Sequence, residues 1–225
     1  MLMKKLYISI LFTSIFSVSV QAQLTLTKSA NEPVIGDVNM MANYDSVSVI
    51  PKNTGAGMSW NFMTLTPGTF TETTTYTTVA STPSASTFSA ATIAAVRGTS
   101  NYEYFRTSTS MLEYVGSQDP SGPETIVFSN YGTFLNWPTA FGNSNTDAFI
   151  ATQTTGTTTG NWNGTISYTA SGSGTVTLPN GNVHTNCLQI KKVISISITS
   201  GTSTSQFSIV GYDYYSSSTK FPILR

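Results

Sequence analysis

Charge is scarce in this chain. Lys and Arg number 10, Asp and Glu another 10, so 9% of the 225 residues are charged and the formal net charge is zero. An ordinary soluble protein carries roughly 25%. With neither a basic patch nor an acidic run, the chain has no electrostatic footprint for nucleic acid or for an anionic membrane surface. Cysteine and histidine are scarcer still, with one of each, Cys187 and His184. A lone cysteine rules out an intrachain disulfide, so stability has to come from burial. A zinc site usually draws on several His or Cys ligands, and one of each is too few. A serine triad would have only His184 as its base, and no Gly-x-Ser-x-Gly elbow occurs. Walker and dinucleotide phosphate cradles are missing too, since Gly172-Ser173-Gly174 reads as a polar hairpin turn and not as a strand-to-helix junction. His184 and Cys187 stand three apart on an expected strand, which would turn them to opposite faces, so Cys187 reads as one more small apolar side chain. No cofactor, no metal and no catalytic set is expected.

What the chain has in quantity is hydroxyl: Ser and Thr together make 69 of the 225 residues. With 39% hydrophobic and 12% aromatic residues there is still enough apolar surface to build a core, which argues against disorder. No long segment shows the 3.6-residue apolar period of a helix, while Thr, Val, Ile, Tyr and Phe recur in short runs broken by Gly, Pro, Asn and Ser. The class is all-β. The clearest strand carries Leu188, Ile190, Ile194, Ile196 and Ile198 on one face, interrupted at Lys192, where Lys191-Lys192 predicts a bulge or a snorkelling lysine. Ser200-Gly201-Thr202-Ser203 then turns the chain into an antiparallel partner, Gln206 to Tyr215.

Further strands are expected at Gln23 to Lys28, Val38 to Tyr44, Met58 to Met63, Thr69 to Val79, Asn101 to Thr107, Met111 to Gly116, Glu124 to Ser129, Thr146 to Thr154, Trp162 to Ala170 and Thr175 to Pro179. Their spacing fits an antiparallel β-sandwich or an open half-barrel with at most one short helix, placed in the Ala-rich stretch Ser84 to Val96. The Thr-rich tracts Thr71 to Thr78 and Thr152 to Thr159 follow no fixed period, so they read as solvated hairpin faces and not as an ice-binding solenoid.

Met1 to Ala22 combines a short basic start at Lys4 and Lys5, the apolar run Leu6 to Val20, and Val20-Gln21-Ala22 where a signal peptidase reads small residues. The run is short of the roughly 20 residues that span a bilayer, so residues 1–22 are expected to be a cleaved signal and 23–225 a single all-β domain with no transmembrane helix. No cysteine stands at the cleavage point to carry a lipid.

Two kinds of side chain offer a site. Glu72, Glu103, Glu113, Asp119, Glu124, Asp147 and Asp213 are enough for the acid and nucleophile of a glycan hydrolase, but nothing in the sequence selects any two. Trp162 and Trp137 are candidate ligand-binding residues, aromatic faces on which a sugar ring stacks; core packing is the competing role for each. Trp162, flanked by Asn161, Asn163 and Gly164, is the better exposed candidate, whereas Trp60 in Ser59-Trp60-Asn61-Phe62 reads as a core plug.

Several segments carry a family likeness. Asn31-Glu32-Pro33-Val34-Ile35-Gly36-Asp37 and Thr54-Gly55-Ala56-Gly57-Met58-Ser59-Trp60-Asn61-Phe62 open the mature chain. Phe141 to Phe149, Leu178-Pro179-Asn180-Gly181, Thr185 to Lys191, Tyr214-Tyr215-Ser216 and Lys220-Phe221-Pro222-Ile223-Leu224 follow. Together they resemble a group of uncharacterised secreted all-β proteins of Bacteroidota. The resemblance implies export, commonly as type IX secretion cargo with a C-terminal sorting domain, which this sequence does not show after Arg225. It implies no catalytic residue. It also makes Ser46, in Asp45-Ser46-Val47, a candidate O-glycosylation site of the kind that phylum uses.

The expectation from the sequence is therefore an exported protein, extracellular or at the cell surface or else periplasmic, acting as a non-catalytic binding or structural module. Its possible partners are a glycan, a lipid or a surface protein. The alternatives are a half-barrel carrier of a lipid or other apolar ligand and, at lower weight, the carboxylate-dependent glycan hydrolase.

Overall fold

The computed structural model describes residues 23–45 and 52–225; the expected signal segment Met1 to Ala22 and the candidate Ser46 lie outside them. In chain order the elements are β1 (Thr25–Leu26), α1 (Lys28–Asn31), β2 (Val38–Asp45), β3 (Gly55–Asn61), β4 (Thr66–Thr77), β5 (Ile93–Arg97), β6 (Asn101–Thr107), β7 (Met111–Asp119), β8 (Glu124–Asn136), β9 (Thr139–Ala140), β10 (Ser144–Thr155), β11 (Thr158–Thr177), β12 (Val183–Ser200) and β13 (Ser203–Ser216). Ten of them form one continuous antiparallel path, β13-β12-β11-β10-β8-β7-β6-β5-β4-β2. The chain is all-β, as its composition of short β-prone runs requires.

This sheet curls on itself. Tyr76 of β4 and Ile93 and Ala95 of β5 share one buried cluster with Leu188 and Ile190 of β12 and Tyr215 of β13, although those strands stand at opposite ends of the path. The first and last strands are not hydrogen-bonded to each other, so the result is an open, curled sheet with a seam between β2 and β13. A second cluster farther along the sheet gathers Phe128, Phe149, Ile166 and Ile196.

Strand β3 joins the sheet in parallel, taking the edge of β11 beyond the stretch that β10 occupies. Its approach explains a glycine pair. A Cβ on Gly172 would lie 2.7 Å from Trp60 Cζ2, and one on Gly174 would run into the Met58 backbone. The Gly172-Ser173-Gly174 segment is therefore mid-strand and not a hairpin turn, and the two strands expected on either side of it are one 20-residue strand with a bulge at Ser171.

The short helix is not in the Ala-rich stretch. Ile93, Ala94 and Ala95 are all buried, with Ala94 packing outward onto Phe88 and its neighbours inward onto the main core. A strand covered on both faces reads as a continuous apolar run, which removes the alternation that marks a strand in sequence. The α-helical turn is α1, capped by Thr27, whose Oγ1 accepts from Ala30 N at 3.3 Å. The hairpin expected from Ser200-Gly201-Thr202-Ser203 is present, with Ser200 opposite Ser203. Thr152 to Thr159 forms a second hairpin, its threonines exposed around Gly156.

Lys191 and Lys192 carry no bulge. The β12–β13 register runs unbroken past them. Lys192 is buried and not snorkelling: its Nζ donates to Asp213 Oδ2 at 2.7 Å and stands 3.6 Å from the Phe134 ring centre. The real bulge of β12 lies earlier, at Asn186, whose φ of 53° is a left-handed geometry that Asn tolerates.

Candidate functional site

The seam is closed by side chains and not by a strand ladder. Tyr214 N–H donates to Leu224 O at 2.9 Å and Ile223 N–H to Tyr214 O at 2.8 Å, seating the last residues against β13. Across the seam, Lys220 Nζ donates to Asp37 Oδ2 at 2.8 Å and Asn31 Nδ2 to Lys220 O at 3.1 Å. Phe221 stacks on Tyr76 with ring centroids 5.3 Å apart and planes 1° from parallel. Trp60 and Phe62 meet Tyr214 edge-on at 5.2 and 5.1 Å. Segments far apart in the chain thus converge: Asn31 to Asp37, Trp60 to Phe62, Tyr214 and Lys220 to Leu224 all hold this one junction.

Between β2 and residues 219–225 the junction leaves a groove of about 570 Å³. Its apolar lining includes Met40, Met41, Leu65, Leu178 and Ile223, and Asn39, Asn43 and Asn180 supply polar groups. Volumes of 300–1,000 Å³ are typical of small-molecule sites. The interior of the curl is different. Leu188 and Ile190 are fully buried in a packed core, and a cavity lined by Trp137, Tyr76 and Tyr215 of the same cluster measures about 40 Å³.

The candidate tryptophans fall in two environments. Trp137 is 6% exposed and belongs to the main core; its Nε1 has no partner among the described residues. Trp162 is mid-strand on β11 and not in a turn, half-buried against the Phe149 cluster. Its Nε1 donates to Gln153 Oε1 at 3.0 Å, and Gln153 Nε2 donates to Glu124 Oε2 at 2.6 Å. Trp60 is a fully buried core plug.

The carboxylates are engaged one by one. Arg97 holds Glu72 at 2.7 Å and Glu103 at 3.1 Å. Arg106 holds Glu113 at 2.7 Å. Asp213 meets Lys192 at 2.7 Å and Arg225 at 3.4 Å. Asp147 accepts from Thr133 N–H and Oγ1, and Asp119 from Ser121. Among the described residues no three His, Cys, Asp or Glu side chains gather as a metal would need.

The bulge at Asn186 changes one reading. Val176 opposes His184 and Gly174 opposes Cys187, so His184 and Cys187 lie on the same face of the sheet. They still form no nucleophile pair. The Cys187 thiol is fully buried, points at the His184 backbone carbonyl at 3.2 Å, and is pushed up to about 11 by burial.

The groove residues Met40, Met41, Leu65 and Leu178 were not singled out as a site by sequence reasoning. Lys220 to Leu224 forms one wall of the groove but stood out in the sequence only as a motif, and no periodicity connects it to β2, 180 residues away in the chain. Comparison of the chain with family profiles, with curated proteins and with solved structures finds no match.

Proposed function

We propose that the protein is an exported, non-catalytic binding module of the bacterial envelope or surface, and that its ligand is an apolar chain, such as the acyl chain of a lipid, lying in the groove along the seam. The observation that carries this reading is the 570 Å³ groove, walled by Met, Leu and Ile side chains with asparagines among them. Met is unbranched and polarisable, so Met40 and Met41 suit a flexible chain without a fixed shape. The filled interior of the curl argues for this outer groove over a carrier cavity inside it. The non-catalytic part is supported by the seven candidate carboxylates, each engaged in an ion pair or a hydrogen bond within the fold.

The test is native mass spectrometry of the protein recovered from its own host's envelope and medium. The reading expects a chain beginning at Gln23 with an adduct of lipid mass. A bare chain from both fractions contradicts the apolar ligand, and a chain retaining Met1 to Ala22 contradicts cleavage after export.

A second reading rests on Trp162. Its link through Gln153 to Glu124 places an aromatic ring beside an amide and a carboxylate, the side chains a glycan-binding site uses. Loss of glycan-induced Trp fluorescence change in Trp162→Ala would favour it; an unchanged response would exclude it.

A further inference from the structure

Strand β13 is the last strand of the sheet, and among the described residues its outer edge is covered only at one end. There, around Tyr214, the chain's own C-terminal residues add to it in antiparallel fashion. From Ser203 to Gly211 every residue is exposed. Pairing with β12 runs without a register shift from Ser203 to Ser216, so backbone direction alternates strictly along the strand. Tyr214 turns its N–H and C=O outward to Ile223 and Leu224. Residues of the same parity, Thr204, Gln206, Ser208, Val210 and Tyr212, therefore turn theirs outward as well.

Edges of this kind are usually blunted by lysine, proline, a bulge or brevity. Ser203 to Tyr212 contains no Lys, Arg, Asp, Glu or Pro, and no bulge interrupts it. It instead exposes Phe207 at 42%, Ile209 at 52% and Val210 at 53%.

We infer that this edge is a self-association surface: a second copy of the chain pairs antiparallel with it about a two-fold axis at Ser208. Three observations single out a second copy. An isologous contact sets every charge near its own duplicate, and this stretch has none to repel. The register about Ser208 brings outward-turned residues opposite one another, Ser208 to Ser208, Gln206 to Val210 and Thr204 to Tyr212, for roughly ten backbone hydrogen bonds. The same register sets Phe207 opposite Ile209 on the face that carries Ile196 and Ile194, so the apolar stripe of each sheet continues into the other. The bare stretch ends where the C-terminal residues take over the edge, which bounds the contact at both ends.

The experiment uses the mature chain. Sedimentation equilibrium of the wild type is expected to give a monomer–dimer equilibrium, and Ser208→Lys, which sets like charges face to face at the axis, to weaken it roughly tenfold. Circular dichroism checks that the exposed substitution leaves the fold intact. Ser208→Cys under mild oxidation is expected to form a covalent dimer, since the facing Cα atoms of such a pair stand about 5.5 Å apart. Cys187 is buried and does not compete. Ser121→Cys, on the exposed β7–β8 turn, is the control. A wild type that is monomeric at every concentration overturns the inference, as does a Ser208→Cys variant that cross-links no better than Ser121→Cys.

Discussion

Lys220 Nζ donates to Asp37 Oδ2 at 2.8 Å, joining two residues 183 positions apart in the chain. The same carboxylate oxygen accepts from Val34 N–H at 2.8 Å, so Asp37 both shapes its own turn and clasps the C-terminal segment. This double use ranks two variants. Lys220→Met should cost about 1 kcal/mol, whereas Asp37→Ala, which removes both bonds, should cost about 2. In a domain of this size each kcal/mol lowers Tm by roughly 2–4 °C. Thermal unfolding checks it, and an equal or reversed ranking contradicts the clasp.

The buried pair Lys192–Asp213 makes a sharper prediction. Both side chains are 10% exposed, and Asp213 also faces Arg225 at 3.4 Å. Asp213→Ala leaves a buried lysine without its carboxylate and facing the like charge of Arg225, and should cost about 3–5 kcal/mol. Lys192→Met leaves Asp213 its arginine and should cost less. Urea unfolding of the two variants decides the order; a milder Asp213→Ala would show the pair to be wet.

Alkaline pH should unfold the protein through its tyrosines. Burial pushes Tyr76 up to about 12, and Tyr114 and Tyr215 further still. An unfolded tyrosine ionises near 10. Above that pH the unfolded chain releases protons that the folded chain keeps, so stability is intact below about pH 10 and falls as pH rises toward 12. Lys192, lowered by burial, acts in the opposite sense, because there the unfolded chain holds the extra proton. One lysine against three buried tyrosines leaves the net slope downward. The urea midpoint should drop from pH 10 to 12, with tyrosinate absorbance rising at the same step; a midpoint flat to pH 12 contradicts the burial.

Glycine at 174 is required by the parallel strand. Gly174→Ala drives a methyl into the Met58 backbone and should cost about 2–3 kcal/mol by displacing β3. Gly122→Ala, where the nearest atom is Asp119 Oδ2 at 3.7 Å, should change stability by less than about 0.5 kcal/mol. Chemical denaturation of both separates a packing role from a loss of glycine in general.

These cases show which parts of the molecule were legible in the sequence. The hairpin from Leu188 to Tyr215 was readable because one face is apolar and the other polar, a pattern that survives without tertiary context. Strand β5 was not, because Ile93, Ala94 and Ala95 are covered on both sides and lose the alternation. Lys192 broke the pattern in sequence, yet its partner Asp213 lies on the next strand, diagonal to it, where only register reveals the pair. The two-sided approach to Gly172 and Gly174 hid in the same way: β3 arrives from over 100 residues earlier. The seam groove was unreadable for the strongest reason of this kind, since its walls come from both ends of the chain. Asn31 to Asp37 and Lys220 to Leu224 stood out in the sequence only as motifs, and nothing in either showed that they clasp across the seam.

The most direct test of the central claim is a fluorescence titration of the mature protein with N-phenyl-1-naphthylamine, comparing wild type, Met40→Glu and Phe70→Glu. Met40 is 71% exposed and lines the groove; Phe70 is 59% exposed and does not, so neither substitution threatens the core. The account predicts saturable binding by the wild type, binding roughly tenfold weaker for Met40→Glu, and no change for Phe70→Glu. A wild type that never saturates, or a Met40→Glu protein that binds as the wild type does, contradicts the placement of an apolar ligand in the seam.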